Sequence, residues 1–278
     1  VETHDDKALE FLNGMEYQNT DHTFAVCAYK ESPYLESCIK SLVNQKVKSN
    51  IIVCTSTPCE FIENMAKKYD IPYYVREGKS DICDDWNFSV ACTKTNYVTV
   101  AHQDDVYNEH YVEELLKHIP DEKMSIFIAD YLPLKGGKAG KRDINSKLRK
   151  FLRQPMRCKK LAASKWWRRR ILSLGNSICC PGVTYNKSVV GLPIFTSKMK
   201  FCIDWDTFLK CAEIKNSHFA YCDTPIIYYR IHDGATSKEF IVDHRRIKED
   251  TDMFNKFWPS FLTKIIMVFY KKAYDTYN

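Results

Sequence analysis

The run YVTVAHQDDVY spans Tyr97 to Tyr107. Its first five residues, Tyr97, Val98, Thr99, Val100 and Ala101, are aromatic, β-branched or small, the composition of a buried strand. That pattern stops at two adjacent carboxylates, Asp104 and Asp105. In open α/β sheets ligands gather beyond the carboxyl ends of the strands, so the pair is aimed at the usual cleft. Two carboxylates this close raise each other's cost of ionising unless a cation stands beside them. Hard divalent ions are commonly held by one or two carboxylates together with substrate phosphates. The same residues also suit a polar turn capping a helix that begins near Asn108.

Upstream, Thr23 to Ala28 (TFAVCA) reads as a first strand. Pro33 suits the first position of a helix in which Leu35, Ile39, Leu42 and Val43 fall at helical spacing. Asn50 to Cys54 is a second strand, followed by the polar turn Thr55 to Pro58 and a helix through Tyr69. Ile71 to Val75 makes a third strand and Ile82 to Val90 a short helix. Strand–helix alternation of this kind implies a parallel sheet of the nucleotide-binding type. Neither GxGxxG nor GxxxxGK[ST] occurs. A bound diphosphate would therefore be neutralised by a cation and side chains rather than by a glycine-rich loop.

Downstream, a helix over Asn108 to His118 leads to a strand over Ser125 to Leu134, and Asn176 to Tyr185 is again buried and strand-like. In Phe201 to Glu213 (FCIDWDTFLKCAE), a helix would place Trp205, Phe208, Leu209 and Ala212 on one face. Asp204 lies near the start and Asp206 two residues on. Either acid can compensate the helix dipole or serve as a general base at the helix N-terminus. Phe219 to Cys222 and Ile226 to Arg230 read as two short strands, the second running into Ile231 and His232. Phe240 to Asn278 holds two helical stretches, the last amphipathic with Lys264, Lys271 and Lys272.

The chain has 278 residues, 45% of them hydrophobic, enough for one large core or two modest ones. Its start, VETHDDKALE, lacks the apolar stretch of a signal peptide, and the run Ile265 to Tyr270 is far too short to span a bilayer. None of the twelve cysteines forms a CxxC pair, and Cys27, Cys54, Cys92, Cys202 and Cys222 sit in apolar segments. Free thiols in a reducing cytoplasm are the expectation. The charge is uneven: Lys135 to Arg170 carries fifteen Lys or Arg against Asp143 alone, a local +14 that leaves −8 for the rest of a chain of net +6. Such a basic insert suggests an anionic partner: a membrane surface, a phosphorylated substrate or nucleic acid. Trp166 and Trp167 beside Arg168, Arg169 and Arg170 have the composition of an interfacial segment, which favours a membrane-surface or acceptor role over a plain solvated helical face.

Taken in order, the turn FAVCAYKESPYLESCIKSLVNQ, Asp85-Trp86-Asn87, HQDDVY, GNSICCP, IDWD and RIHDGATS resemble an inverting, bacterial-type family 2 glycosyltransferase. They cover about Thr23 to Ser237. The resemblance implies a GT-A fold: a Rossmann-like, mostly parallel nucleotide-binding sheet merged with an acceptor-binding subdomain and C-terminal helices. It divides the chain into a nucleotide-sugar half (1–134), a basic insert facing acceptor or membrane (135–175), an acceptor and catalytic half (176–239) and C-terminal helices (240–278). It further implies a hexosyltransferase using a nucleotide-diphosphate sugar, with a UDP-sugar the best fit, and Mn²⁺ or Mg²⁺. The sugar would pass with inversion to a glycan or lipid-linked acceptor hydroxyl in cell-surface glycan synthesis.

By the same similarity Asp105 is the direct metal ligand, with Asp104 nearer the ribose or a metal-bound water and His232 completing the metal or diphosphate site beside Arg230. His102 stands where the family usually has a leading acid. Asp204 corresponds to the base, with Asp206 as the fallback. Donor contacts fall to Ala28, Tyr29, Glu31, Thr55, Ser56, Lys79 and Asn87, Thr55 occupying a position that is often Asp. The expected location is the cytoplasm, peripheral to the inner face of an anionic membrane through Lys135–Arg170 and the C-terminal helix. A nucleotidyltransferase of the same fold would carry a glycine-rich loop where this chain has AYKESPY. A basic nucleic-acid binder would need a recognition module that the sequence lacks, so no nucleic-acid partner is expected.

Overall fold

The computed structural model describes residues 20–232 and 245–271. The acidic start, Asp233 to Ser237 of the RIHDGATS motif, Phe240 and Lys272 lie outside them. The strands are β1 (His22–Ala28), β2 (Asn50–Thr55), β3 (Tyr73–Val75), β4 (Tyr97–His102), β5 (Val106–Tyr107), β6 (Met124–Lys135), β7 (Lys138–Ala139), β8 (Val183–Asn186) and β9 (His218–Arg230). They form one nine-stranded sheet in the order β3-β2-β1-β4-β8-β6-β9-β5, with β7 hooked onto β6. From β3 to β4 every pairing is parallel. β8 then runs antiparallel to both β4 and β6, while β6 and β9 pair in parallel. The expected strand–helix alternation is thus met in the first half, and the sheet turns mixed beyond β4.

Helices cover both faces. α1 (Leu35–Val43), α2 (Glu60–Lys68), α3 (Ile82–Ala91) and α4 (Tyr111–Leu116) belong to the first half. α5 (Ile144–Arg153), α6 (Lys159–Ala163), α7 (Lys165–Arg170), α8 (Lys187–Val190), α9 (Ile203–Glu213), α10 (Arg245–Asn255) and α11 (Ser260–Tyr270) follow. Side chains that alternate along a strand point to opposite faces, which divides the core in two. Phe24, Val26, Ala101 and Phe127 join Leu35, Ile39 and Leu42 of α1 on one side. Ala25, Val98, Val100, Ile126 and Ile128 join Trp205, Phe208, Phe254 and Met267 on the other. Inside the sheet a buried polar chain links His22 to Ser49 (2.7 Å) and Thr99 (2.8 Å), and Thr99 to Thr184 (2.6 Å). Burial pushes His22 down to about 3, so the imidazole stays neutral.

Three local expectations are corrected. Asn176 to Tyr185 is not a continuous strand: a 3₁₀ turn at Cys180–Gly182, with Pro181 in its first turn, delays β8 to Val183. The two short strands at 219–230 are one, β9, whose register slips against β6 near Asp130 and absorbs Pro225. The Trp–Arg run of α7 is partly docked on the protein, with Trp166 left 62% exposed. Arg168 is buried and donates to the Ser217 and Ile214 carbonyls, both at 2.8 Å. Arg169 pairs with Glu213, the Arg170 guanidinium lies 5.1 Å from the centre of the Trp258 ring, and Trp167 packs on the core. The three arginines of the run are thus engaged by carbonyls, a carboxylate and a ring. Asp104 and Asp105 do not cap the next helix: α4 begins at Tyr111, with His110 at its cap position and no side-chain cap.

Candidate active site

β4 carries the acidic run to the edge of a cleft of about 1200 Å³ and hands it to the short β5, which pairs with β9. The turn between them is tight, the Asp105 N–H reaching the His102 carbonyl at 3.3 Å. Gln103 fixes the turn to the end of β1: its amide accepts from Tyr29 N–H (3.0 Å) and donates to the Tyr29 carbonyl (2.9 Å). Asp104 faces the cleft and receives His232 Nε2 at 2.9 Å. Asp105 is fully buried; its Oδ1 accepts the Arg230 backbone N–H at 2.8 Å. Arg230 also donates Nε to the Asp104 carbonyl at 2.7 Å and lays its guanidinium 4.4 Å from the Tyr34 ring centre. Asp104 thus meets the cleft, and Asp105 stands behind it.

His102, Asp104 and Asp105 each offer a ligand atom, all within 4.8 Å of one another. Two buried atoms of this group, Asp105 Oδ2 and His102 Nε2, have no hydrogen-bond partner among the described residues. An unsatisfied buried carboxylate oxygen is costly, and a cation shared with Asp104 would satisfy it. Burial and the adjacent Asp104 push the Asp105 carboxyl well up. Burial works in the same direction on Asp104, yet the His232 hydrogen bond and the His102 charge hold it below the usual range. A carboxylate pair driven apart in this way suits a divalent ion. In the sequence, the one mark of His102 is that it stands where the family usually has an acid. Its ring stacks on Trp86, centroids 5.3 Å apart, so Trp86 sets the orientation of the imidazole.

Of the residues expected to meet the donor, Ala28, Tyr29, Thr55 and Lys79 line the cleft. Glu31, Ser56 and Asn87 do not. Asn87 spends its amide on the Phe195 backbone, donating at 2.6 Å and accepting at 3.0 Å. Ser56 donates to Asp85 at 2.8 Å. Asp85, which sequence reasoning left without a role, also accepts from Arg76 Nε (2.6 Å) and Ser80 (2.9 Å) and lines the cleft. One carboxylate thus binds together the turns after β2 and β3 and the start of α3. Its only signal in the sequence was its place in Asp85-Trp86-Asn87.

Across the same cleft stands Asp204, in the first turn of α9. Its Oδ2 accepts from Asn176 Nδ2 and its Oδ1 from the Trp205 N–H, both at 2.7 Å. Burial lifts its carboxyl to about 6, against those two hydrogen bonds. Asp206 points elsewhere, held by Lys256 (2.5 Å) and Lys210 (3.0 Å). Burial alone would raise it, but these lysines keep it below the usual carboxylate range. The helix geometry separates the two, since residues two apart face nearly opposite sides.

The parallel half of the sheet thus ends in an acid pair, and a further acid lines the same cleft, at the strand ends where ligands gather in open α/β sheets. The family description Glycosyl transferase family 2 matches residues 23–168, just over half of the sequence, and the chain belongs to that family. It is a glycosyltransferase with the GT-A fold. No curated protein matches it by sequence. Among solved structures, a mannosyltransferase, PcManGT from Pyrobaculum calidifontis, in complex with GDP-Man and Mn²⁺, is similar over 96% of this chain and 75% of its own at 12% identity, TM-score 0.62. Residues 1–349 of S. aureus TarS in complex with UDP-GlcNAc are similar over 88% of this chain and 70% of theirs at 11% identity, TM-score 0.55. Against a longer TarS structure the match spans 42% of that protein. At such identities the likeness is one of fold.

Proposed function

We propose that this glycosyltransferase moves a sugar from a nucleotide-diphosphate donor, a UDP-sugar, to an acceptor hydroxyl with inversion at the anomeric carbon. The observation that carries the reading is that Asp104 and Asp204, a hundred residues apart, line one cleft from opposite elements. Asp104 is the cleft-facing ligand for Mn²⁺ or Mg²⁺, with His102 and the inner oxygen of Asp105 completing the set and His232 steadying Asp104 from outside. When bound, the ion supplies Lewis-acid stabilisation of the charge that builds on the departing diphosphate. Ala28, Tyr29 and Thr55 border the space for base and ribose, and Lys79 brings a cation to its rim. The UDP-GlcNAc complex of a protein of the same fold supports a uridine donor; the GDP-Man and Mn²⁺ complex supports the ion.

Asp204 is the general base. Transfer with inversion needs the acceptor hydroxyl to lose its proton as it attacks from the face opposite the leaving group. A carboxylate lifted to about 6 is both ionised at neutral pH and basic enough to take that proton. Asn176 and the Trp205 N–H hold it in place. The acceptor is a glycan or a lipid-linked glycan in cell-surface synthesis, and the enzyme works in the cytoplasm against the inner face of the membrane. Among the described residues no helix is long and apolar enough to cross it. The test is nucleoside-diphosphate release across a panel of nucleotide sugars, with Mn²⁺ and with chelator. UDP release that depends on the ion is expected. Release of pyrophosphate from a nucleoside triphosphate and a sugar phosphate would instead make it a nucleotidyltransferase.

A further inference from the structure

The seven large apolar side chains of α5 and α11 that stand in solvent have no role in the site. On α5 these are Ile144 (83% exposed), Leu148 and Phe151 (71%); on α11, Phe261 (66%), Ile265, Val268 and Phe269 (67%). Their spacings, 144-148-151 and 261-265-268-269, put each set on one stripe of its helix. The opposite stripes are buried. Arg153 of α5 reaches inward to Asp130 at 2.5 Å, and Thr263 and Met267 of α11 enter the core. The two helices are neighbours of the same opening, because Arg149 of α5 and Tyr270 at the end of α11 both line the cleft.

We infer that α5 and α11 are a two-helix foot by which the enzyme sits on an anionic lipid bilayer, with the mouth of the cleft turned to the lipid headgroups. This rests on the proposed transfer to a lipid-linked acceptor and names the surface that presents it. Charge decides the occupant. The exposed lysines Lys138, Lys141 and Lys147 flank the α5 stripe, and Lys264 and Lys271 flank that of α11. Asp143, the one acid between residues 135 and 170, caps α5 by accepting from Ser146 N–H at 2.7 Å. Apolar side chains ringed by lysine match an anionic interface. A second copy of the chain would bring lysines against lysines. A bilayer also needs no shaped complement. The surface is different from the Trp–Arg run of α7, whose arginines are engaged by Ser217, Ile214, Glu213 and the Trp258 ring.

The experiment is co-sedimentation of the full chain with vesicles of phosphatidylcholine alone and of phosphatidylcholine with phosphatidylglycerol. Wild type is expected to sediment with the anionic vesicles and to be released by salt. The double variants Ile144→Ser/Phe151→Ser and Phe261→Ser/Phe269→Ser should each weaken binding about tenfold or more, and Lys138→Glu/Lys147→Glu should remove the preference for anionic lipid. Because all these side chains are exposed, melting temperature and nucleoside-diphosphate release in solution should stay at wild-type levels, which serves as the folding control. Wild-type binding by both apolar double variants, or no binding by wild type, overturns the inference. So does a dimer in solution that the same variants dissociate. Donor turnover without vesicle binding would sink the foot alone, and vesicle binding without donor turnover would sink the proposed reaction alone.

Discussion

The backbone N–H of Arg230 hydrogen-bonds Asp105 Oδ1 at 2.8 Å across 125 residues of sequence. That bond fastens the end of β9 to the acidic turn after β4 and leaves Asp105 Oδ2 buried, with His102 Nδ1 at 3.9 Å and no hydrogen-bond partner among the described residues. An orientation fixed on one oxygen and open on the other is what a metal-ligating carboxylate requires.

Asp104→Ala should therefore abolish Mn²⁺-dependent turnover and the calorimetric signal of Mn²⁺ binding. Asp105→Asn keeps an acceptor for Arg230 and should fold, but with cation affinity lowered about 10–100-fold. Equal Mn²⁺ affinity in wild type and Asp104→Ala would remove the cation from this turn.

Asp204→Asn should lower kcat by about 10²–10⁴-fold while leaving the affinity for donor near wild type, as expected for loss of a general base. The wild-type kcat should climb with pH through about 6, the value to which burial lifts this carboxyl. Asp206→Asn should leave that acidic limb in place. A limb that moves with Asp206 and ignores Asp204 would exchange their roles.

The same group gives a stability prediction of definite sign. Its folded value, about 6, lies above the ordinary 3.8, so the native state holds the proton more tightly. Stability is lost as pH rises from the ordinary value through about 6, and above that the buried charge costs up to about 3 kcal/mol. Asp204→Asn should thus be more resistant to urea than wild type at pH 7.5, and the advantage should shrink towards pH 4.

Asp130 of β6 is buried and receives Arg153 (2.5 Å), Arg142 (2.6 Å) and Lys150 (2.9 Å). Removing one partner from a buried ion cluster typically costs about 3–5 kcal/mol. Asp130→Asn should show that loss in urea unfolding, and α5 should become the first segment to exchange its amide hydrogens. Arg142→Ala should cost less, since Arg153 and Lys150 remain.

Asn87→Ala should lower stability by about 1–3 kcal/mol through its two bonds to the Phe195 backbone. The donor KM should change far less than it does for residues that border the cleft. A large KM effect with unchanged stability would return Asn87 to the donor site.

Much of this protein is written locally. The strand Tyr97–His102, the helix of Leu35, Ile39 and Leu42, and the alternation that makes the first four strands parallel follow from side-chain periodicity and β-branching, properties of neighbours in the chain. The acids worth attention, Asp104, Asp105 and Asp204, were also legible, because each interrupts an apolar pattern at an element's end. What no local pattern contains is direction in space. Asp104 meets the cleft and Asp105 does not because β5 turns back to pair with β9, a contact made 120 residues later. Asp204 and Asp206 share a helix and a charge, yet Asn176 and Lys256, both distant in sequence, assign them different environments. The basic segment read as a surface, while Arg153 and Arg168 are buried by partners that composition cannot name. Sequence determined which residues could do chemistry, since residue type and spacing are encoded along the chain. Only the tertiary structure decided which of them face one another, because burial and charge pairing depend on what lies across space.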